Sequence, residues 1–443
     1  MPQKQSSAKE VVTHTIEISI IMNKFNKTLL ATAITLASTQ AMSAGFQLNS
    51  QSATGIGRAM AGDAIIADNA SVLSRNPAAM ALFDKKALSV GLTFADIDVN
   101  VDDVTKTVPG LGTVNFGDVH GAADSKIIPN FYYINPIDDK FAIGFAAFSN
   151  YGTGTDLTPL ANAGVNTPVG FMPAPVDLLG NTEVLTVNFN TSMSYRVNEE
   201  FSFGFGIDAI YAEGTLTRKG SVPVANVGVV PVTLVDVDAD GWAFGAILGM
   251  SYEVNADHRF GLSYRFSPTL SAKGDISFNR QDYAKIDIPM ADIAQFAGFH
   301  QLTDTFAVHY TAQWTSWSDF DHITVKNNPV QQHLKTYHWQ DSWFLSLGAT
   351  YNISQDLTAR VGVASDQGVV DQLSSLSIPD SDRHWYTTGL SYQLNEQSSV
   401  DLGVAYVRGE NVTVKENSAI LGEITAHTRS NGTYYSVQYN YSF

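Results

Sequence analysis

The chain closes on "TYYSVQYNYSF", residues 433–443, and this stretch has two incompatible faces. Side chains alternate along an extended strand, so Tyr435, Val437, Tyr439, Tyr441 and Phe443 fall on one side and Ser436, Gln438, Asn440 and Ser442 on the other. A half-buried strand of any sheet would satisfy this pattern, so its neighbours must decide. The same alternation recurs in "EFSFGFGIDAIYAEG", where Phe201, Phe203, Phe205, Ile207, Ala209 and Tyr211 oppose Ser202, Gly204, Gly206 and Asp208. It recurs again in "HRFGLSYRFS", "TFAVHYTAQW" and "SVDLGVAYVRG", which place Arg259, Arg265, His309 and Asp401 on the polar side. Charges at such positions are costly in a sandwich core unless paired, and natural in a polar lumen.

The connections between these strands discriminate further. Short turns at 135–138, 197–199, 254–257, 302–304, 352–355 and 394–397 alternate with long segments at about 97–123, 150–181, 213–238, 271–288, 319–337, 367–381 and 409–431. Strict alternation of short and long connections is the asymmetry of an outer-membrane barrel with an even number of strands. The spacing predicts an all-β fold, an antiparallel transmembrane β-barrel of about fourteen strands, with Tyr and Phe facing lipid and headgroups. Closure would satisfy every backbone group that hydrocarbon cannot. The terminal Phe443 fits the C-terminal aromatic of bacterial outer-membrane barrels.

Composition agrees. The 443 residues are 44% hydrophobic, 11% aromatic and only 16% charged, a charge density below that of ordinary soluble domains. A net charge of −17 without a basic patch argues against nucleic acid. The absence of cysteine removes disulfides, thiolate nucleophiles and Cys-ligated metals together. From Met22, a basic stretch with Lys24 and Lys27, a short apolar core and Ala41-Met42-Ser43 form a secretory signal whose cleavage leaves Ala44 first. Residues 1–43 are therefore an upstream extension plus signal peptide, 44–83 a separate segment, and 84–443 the barrel.

Residues 44–83 lack strand alternation, are rich in Gly, Ala and Ser, and offer helix starts at Ser52 and Asp68. They read as a short helical plug folded inside the barrel lumen, with a small periplasmic subdomain as the alternative.

Catalytic and metal signatures fail on inspection. "GIGRAMAG" at 55–62 lacks the preceding strand and the lysine of a phosphate loop, so its glycines suit close packing of a short helix. "DVDADGWAFGAI" at 236–247 ends in Ile247 where a calcium loop needs a bidentate glutamate, leaving a solvated acidic loop. No HExxH or GxSxG occurs, although His309, His384 and Asp401 would be available to a barrel hydrolase. The expectation is a non-enzyme without cofactor or metal. Two long segments are unusually apolar: Val169, Phe171, Met172, Val176, Leu178 and Leu179 in one, and Val222, Val224, Val227, Val229, Val230, Val232 and Leu234 in the other. Exposed together they would form a binding surface for greasy cargo; packed together they would form a lid.

"AGFQL" at the mature start, "GIGRAMAGDAIIADNASVLSRNPAAM", "FSNYGTGTDL", "TSWSDF" and "SIPDSDRHW" occur in an order that resembles the FadL-type long-chain fatty-acid transporters over essentially all of 44–443. The resemblance implies a fourteen-stranded barrel in a Gram-negative outer membrane, closed by an N-terminal hatch. It implies capture of cargo between the 150–181 and 213–238 segments, near Phe171 and Met172. An inner pocket follows, and then sideways exit where the third strand kinks at Ser149, Asn150, Tyr151 and Gly152. Phe46 would enter the pocket, Arg218 would meet a carboxylate, and Asn76, Pro77 and Ala78 would form the hatch turn. A second basic group of the family is replaced by Gln340, with Lys335 and His338 nearby, which removes one charge from the clamp. The implied partners are a long-chain fatty acid or another hydrophobic small molecule and outer-membrane lipid, and the implied state is a monomer. Uptake of neutral or aromatic hydrocarbons on the same fold is the alternative, with an outer-membrane lipase and a general porin as rivals from other classes. A phage-receptor or adhesin role could coexist with transport.

Overall fold

A computed structural model describes residues 44–224, 226–327, 329–370 and 374–443. The signal peptide and the start at Met22 lie outside these described residues. Fourteen antiparallel strands close into a barrel. They are β1 (Ala87–Val108), β2 (Lys126–Pro136), β3 (Phe141–Phe148), β4 (Asn181–Arg196), β5 (Phe201–Val224), β6 (Gly228–Asn255) and β7 (His258–Phe266). Then follow β8 (Ile293–Thr303), β9 (Phe306–Thr315), β10 (Ser342–Asn352), β11 (Leu357–Asp366), β12 (Arg383–Asn395), β13 (Ser398–Gly409) and β14 (Gly422–Ser442). Consecutive strands pair, and β1 pairs with β14 from Ala87↔Ser442 to Thr105↔Thr425, so the sheet closes on itself.

The faces fall as the alternation predicts. Tyr435, Val437, Tyr439 and Phe443 are exposed toward the bilayer, whereas Ser436 and Gln438 are buried within the barrel. Short turns are set by local chemistry: the Asn198 and Asn255 side-chain oxygens each accept two backbone N–H bonds that reverse the chain. The long segments differ from the irregular loops that sequence suggests. The 213–238 segment is mostly a continuation of β5 and β6, paired from Glu213↔Asp240 to Val224↔Gly228. The supposed acidic loop at 236–241 is thus regular strand, with Asp236 Oδ2 2.8 Å from Lys219 Nζ. Beyond the bilayer, hairpin pairing still satisfies backbone groups, so strands extend past the wall.

Inside the barrel, residues 44–83 pack against inward-facing side chains. Helix α1 (Ala53–Gly57) begins at Ser52, whose hydroxyl accepts from the Gly55 N–H at 2.9 Å. The second start is shifted by one residue. Asn69, not Asp68, caps a 3-10 turn over Ala70–Ser74, because Asp68 is drawn to Arg58 at 2.8 Å and Arg360 at 3.3 Å. Burial pushes the Asp68 carboxyl up, but these guanidinium groups outweigh it and hold it below its ordinary value. The lumen is therefore not simply wet. Its polar groups bond to the inner segment, as in Gly62 N–H to Thr311 Oγ1 at 2.9 Å and Arg265 Nη2 to the Ser74 carbonyl at 2.7 Å.

Inward glycines give this segment its seat. A Cβ on Gly249 would lie 3.0 Å from Pro77 Cδ, and one on Gly204 would lie 2.9 Å from Ala78 Cα. These two glycines are partners across β5 and β6, so together they form the floor under 76–78. Gly249→Val should leave the barrel folded but unseat this turn, an overpacking cost of about 1–3 kcal/mol. Faster proteolysis within 44–83, with unchanged heat-modifiable mobility of the barrel, is the expected result.

Candidate functional site

The site is built where the first residues of the inner segment meet an interruption of the wall. Strand β3 stops at Phe148 and resumes at Gly152–Asp156. Against β4 the pairing goes from Phe148↔Asn188 to Gly152↔Leu185, which leaves one extra residue on the β3 side: a bulge at 149–151. On its other side, β3 pairs with β2 only from Phe131↔Ala147 to Pro136↔Ala142, so 126–130 of β2 have no β3 partner among the described residues. The N-terminal segment pairs instead with the interrupted strand at 150–152. Leu48 N–H donates to the Asn150 carbonyl at 2.7 Å, and Gly152 N–H donates to the Phe46 carbonyl at 2.9 Å. The sequence-selected Ser149, Asn150, Tyr151 and Gly152 thus sit at a real break in the barrel wall, each buried.

This pairing delivers Phe46 into an aromatic box. Its ring lies 4.7 Å from Trp317, 5.0 Å from Phe320, 5.8 Å from Tyr151 and 6.0 Å from Trp339, centroid to centroid. Gly45 permits the approach, with φ of 63° and room for no more than hydrogen, since a Cβ would be 2.9 Å from Trp317. Ala44 N lies 3.1 Å from Asp366 Oδ2, and Gly45 N–H donates to Asp380 Oδ1 at 3.2 Å. Burial raises the Asp380 carboxyl above its ordinary value, and Arg383, 2.6 Å away, opposes that rise.

From the aromatic box an unbroken apolar cluster runs through Ile323, Val237, Val235 and Leu216 to Leu234, Phe278 and Leu334. The last three line an outer cavity of about 540 Å³ together with Leu178, Ile420, Arg218 and Lys335. Packed apolar side chains are therefore continuous from the outer cavity to Phe46.

Arg218 is the unusual group in this cavity. Its guanidinium donates to the carbonyls of Asn181 at 2.9 Å and Thr217 at 2.7 Å and to Thr182 Oγ1 at 2.8 Å, all neutral acceptors. Six arginines are buried among the described residues: Arg58, Arg75, Arg218, Arg265, Arg360 and Arg383. Arg58 and Arg360 meet Asp68, Arg265 meets Asp208 and Arg383 meets Asp380. Arg218 and Arg75 have no carboxylate within 4.0 Å among the described residues, which leaves two buried cations without a direct ion pair; Glu416 and Asp177 act on Arg218, and Asp63 on Arg75, only from further away.

The other sequence-selected residues fall as follows. Gln340 does not line the Arg218 cavity; its backbone N–H bonds Val369 at 2.9 Å and its side chain reaches Gly368 at 3.4 Å, beside the Asp380 group. The lysines that share the cavity are Lys335, already paired with Glu416, and Lys415. Phe171 and Met172 lie half-buried on a small hairpin, Val165–Thr167 with Gly170–Met172, and Met172 packs toward Leu178 and Leu179. Val176, Leu178 and Leu179 are buried rather than exposed, because this segment folds onto itself and leaves Val169 as its protruding side chain. Val224, Val227 and Val229 remain exposed on the β5–β6 hairpin. Asn76 is fully buried. Its Nδ2 donates to the carbonyls of Ala64 at 2.8 Å and Met250 at 3.0 Å, its Oδ1 accepts from the Ala78 N–H at 3.0 Å, and Pro77 begins the following 3-10 turn. His309, His384 and Asp401 are not assembled: His309 Nε2 pairs with Thr350, Asp401 with Asn440, and His384 is exposed on the outer face. Sequence reasoning missed Arg75 and Asp366, whose partners are remote in the chain.

A family model described as "Outer membrane protein transport protein (OMPP1/FadL/TodX)" matches residues 34–443. A long-chain fatty acid transport protein of Salmonella typhi is 32% identical over 95% of this chain and 99% of its own length. Outer membrane protein P1 of Haemophilus influenzae is also 32% identical, over 95% of this chain and all of its own. Among solved structures, a Pseudomonas aeruginosa FadL homologue superposes with a TM-score of 0.76 at 22% identity, covering 90% of this chain and 100% of its own. The Pseudomonas putida toluene transporter TodX gives 0.64 at 18% identity with the same coverage. With a closed barrel and a match over nearly its whole length, the chain belongs to the OMPP1/FadL/TodX family of outer-membrane transport proteins.

Proposed function

We propose that this protein is a passive channel for long-chain fatty acids. Cargo enters the outer cavity, places its carboxylate on Arg218 and its chain along the apolar cluster, and displaces Phe46 from the aromatic box. Residues 44–83 act as the hatch of the 84–443 barrel, with Asn76, Pro77 and Ala78 as the turn that shifts on loading. The cargo then leaves sideways at 149–152, where release into lipid avoids exposing each methylene to water at about 0.8 kcal/mol. No step of this route makes or breaks a covalent bond.

The observation that carries the reading is Arg218: a buried guanidinium hydrogen-bonded to neutral partners only, in a cavity where Leu216, Leu234, Phe278 and Leu334 stand beside charged groups such as Lys335 and Glu416. A planar fork of donors suits a carboxylate and offers nothing to a hydrocarbon. The names of the curated relatives support the same cargo class. The test is equilibrium binding of oleate to detergent-purified protein, competed with dodecane and with toluene. Oleate should bind most tightly, and Arg218→Ala should weaken oleate by about tenfold or more, the loss of a charge-assisted hydrogen bond, while leaving toluene within about twofold. Toluene or dodecane displacing oleate at equal concentration would reassign the channel to neutral hydrocarbons.

A further inference from the structure

Arg75 is the second buried arginine without a direct ion pair, and the fatty-acid reading above leaves it unused. Its Nη1 donates to Gln313 Oε1 at 3.1 Å, and its Nη2 donates to Asn49 Oδ1 at 3.0 Å and Gln51 Oε1 at 2.6 Å, so every partner is a neutral amide oxygen. Its Nε has no partner. The Gln51 amide then links it to the wall opening, with Nε2 donating to the Ser149 carbonyl at 2.9 Å and to Asn150 Oδ1 at 3.3 Å. These bonds also orient the neighbours. Because Asn49 and Asn150 each accept through Oδ1, the free end of each amide is Nδ2, and both nitrogens are buried without a partner. Ser50 Oγ is likewise buried and unpaired. The unsatisfied groups of this segment, Arg75 Nε, Asn49 Nδ2, Asn150 Nδ2 and Ser50 Oγ, can all donate. All four residues are more than nine-tenths buried.

Buried polar groups are ordinarily satisfied, so unmet donors beside a buried cation with no direct ion pair, its influencing carboxylate Asp63 being already paired with Arg58, describe a receptor for an oxyanion. Its place in the fold says which one. Gln313 bridges Arg75 to Gln47, with Nε2 donating to Gln47 Oε1 at 3.2 Å, one residue from Phe46 in the aromatic box. Asn150 is in the break of β3 itself.

We infer that Arg75, with Asn49 and Asn150, forms a second carboxylate station at the wall opening, which receives the headgroup of a long-chain acid after Arg218 and before lateral release. The station rests on the fatty-acid reading of the channel. It explains how a charged headgroup crosses an apolar interior: the anion passes between two fixed guanidinium groups, one at the mouth and one at the exit. A neutral cargo gains nothing from it.

The experiment compares oleate with oleyl alcohol, which has the same chain without the charge, for flux through mature protein reconstituted in liposomes. In Arg75→Gln the acid-to-alcohol flux ratio should fall at least tenfold, while oleate affinity in detergent, set at Arg218, stays within twofold. Asn49→Asp gives an independent variant that keeps the hatch seated, because it places a carboxylate on Arg75 itself. The same tenfold fall in ratio is expected from this self-occupied station. Arg75→Lys, which retains the charge, should recover a substantial part of the ratio. Equal losses for acid and alcohol in Arg75→Gln and Asn49→Asp would make Arg75 a strut and overturn the station, as would an unchanged ratio. Wild-type protein that neither binds oleate nor favours its flux would remove the fatty-acid reading and this station with it, a failure visible without any variant.

Discussion

Replacing Arg58 with methionine should turn a closed barrel into an ion-conducting one. Its guanidinium is 2% exposed and holds the inner segment together, with Nη2 3.0 Å from Asp63, Nη1 2.8 Å from Asp68 and Nε donating to the Ala61 carbonyl at 3.1 Å. Methionine fills much of the volume, so the change removes charge more than packing. It strands the buried Asp63 without its ion-pair partner and leaves Asp68 with Arg360 alone at 3.3 Å. Breaking a buried pair in this way costs about 3–5 kcal/mol, a large fraction of what can seat a forty-residue segment against a wall. The barrel ladder does not depend on this residue, so the strands should persist while 44–83 loosen. In planar bilayers the variant should show ion conductance well above wild type, and limited proteolysis should cut within 44–83. Wild-type conductance together with wild-type protease resistance would mean that the Gly204 and Gly249 seat alone closes the lumen.

A disulfide between residues 47 and 151 should stop cargo at the last step. Gln47 and Tyr151 are antiparallel partners, and the hydrogen bonds that flank them run from Leu48 to Asn150 and from Gly152 to Phe46. That makes them a non-hydrogen-bonded pair, whose close Cα spacing of about 4.5 Å falls within disulfide geometry. The chain contains no cysteine, so Gln47→Cys with Tyr151→Cys introduces the only thiols. If the N-terminal segment must leave the β3 edge for the opening to clear, the oxidised protein should pass oleate at least about tenfold more slowly than the same protein after reduction. Comparing two redox states of one variant cancels the direct loss of the Tyr151 ring. Equal flux in both states would show that cargo leaves by another route or past a fixed segment.

Much of this architecture is legible in short stretches of chain. Period-two alternation depends on neighbours two residues apart, so Tyr435, Val437 and Tyr439 declare an outer face and Ser436 and Gln438 an inner one without reference to any remote contact. The turns at Asn198 and Asn255 and the cap at Ser52 are equally local. The strict alternation of short and long connections then implies a closed, even-stranded barrel, because a membrane separates its two ends. The break in β3 is partly legible: the 149–152 stretch could be singled out, but the register shift against β4 could not be counted from sequence.

Only the tertiary structure decided which charges are compensated. Arg58 finds Asp63 and Asp68 within ten residues, a pairing that sequence could suggest. Arg75 bonds a glutamine 238 residues away, and Ala44 meets a carboxylate 322 residues away, distances at which no local pattern survives. Gln340 and Arg218 illustrate the same limit from the other side, since resemblance groups them while the fold sends Gln340 to Gly368 and Val369 and Arg218 to the outer cavity. Likewise Leu178 and Leu179, apolar in a polar-rich loop, could line a mouth or a core, and only the closing of that loop buried them. Face and strand number follow from local stereochemistry along one chain segment; counter-charge, burial and cavity follow from the closure of the barrel, which brings distant segments into contact.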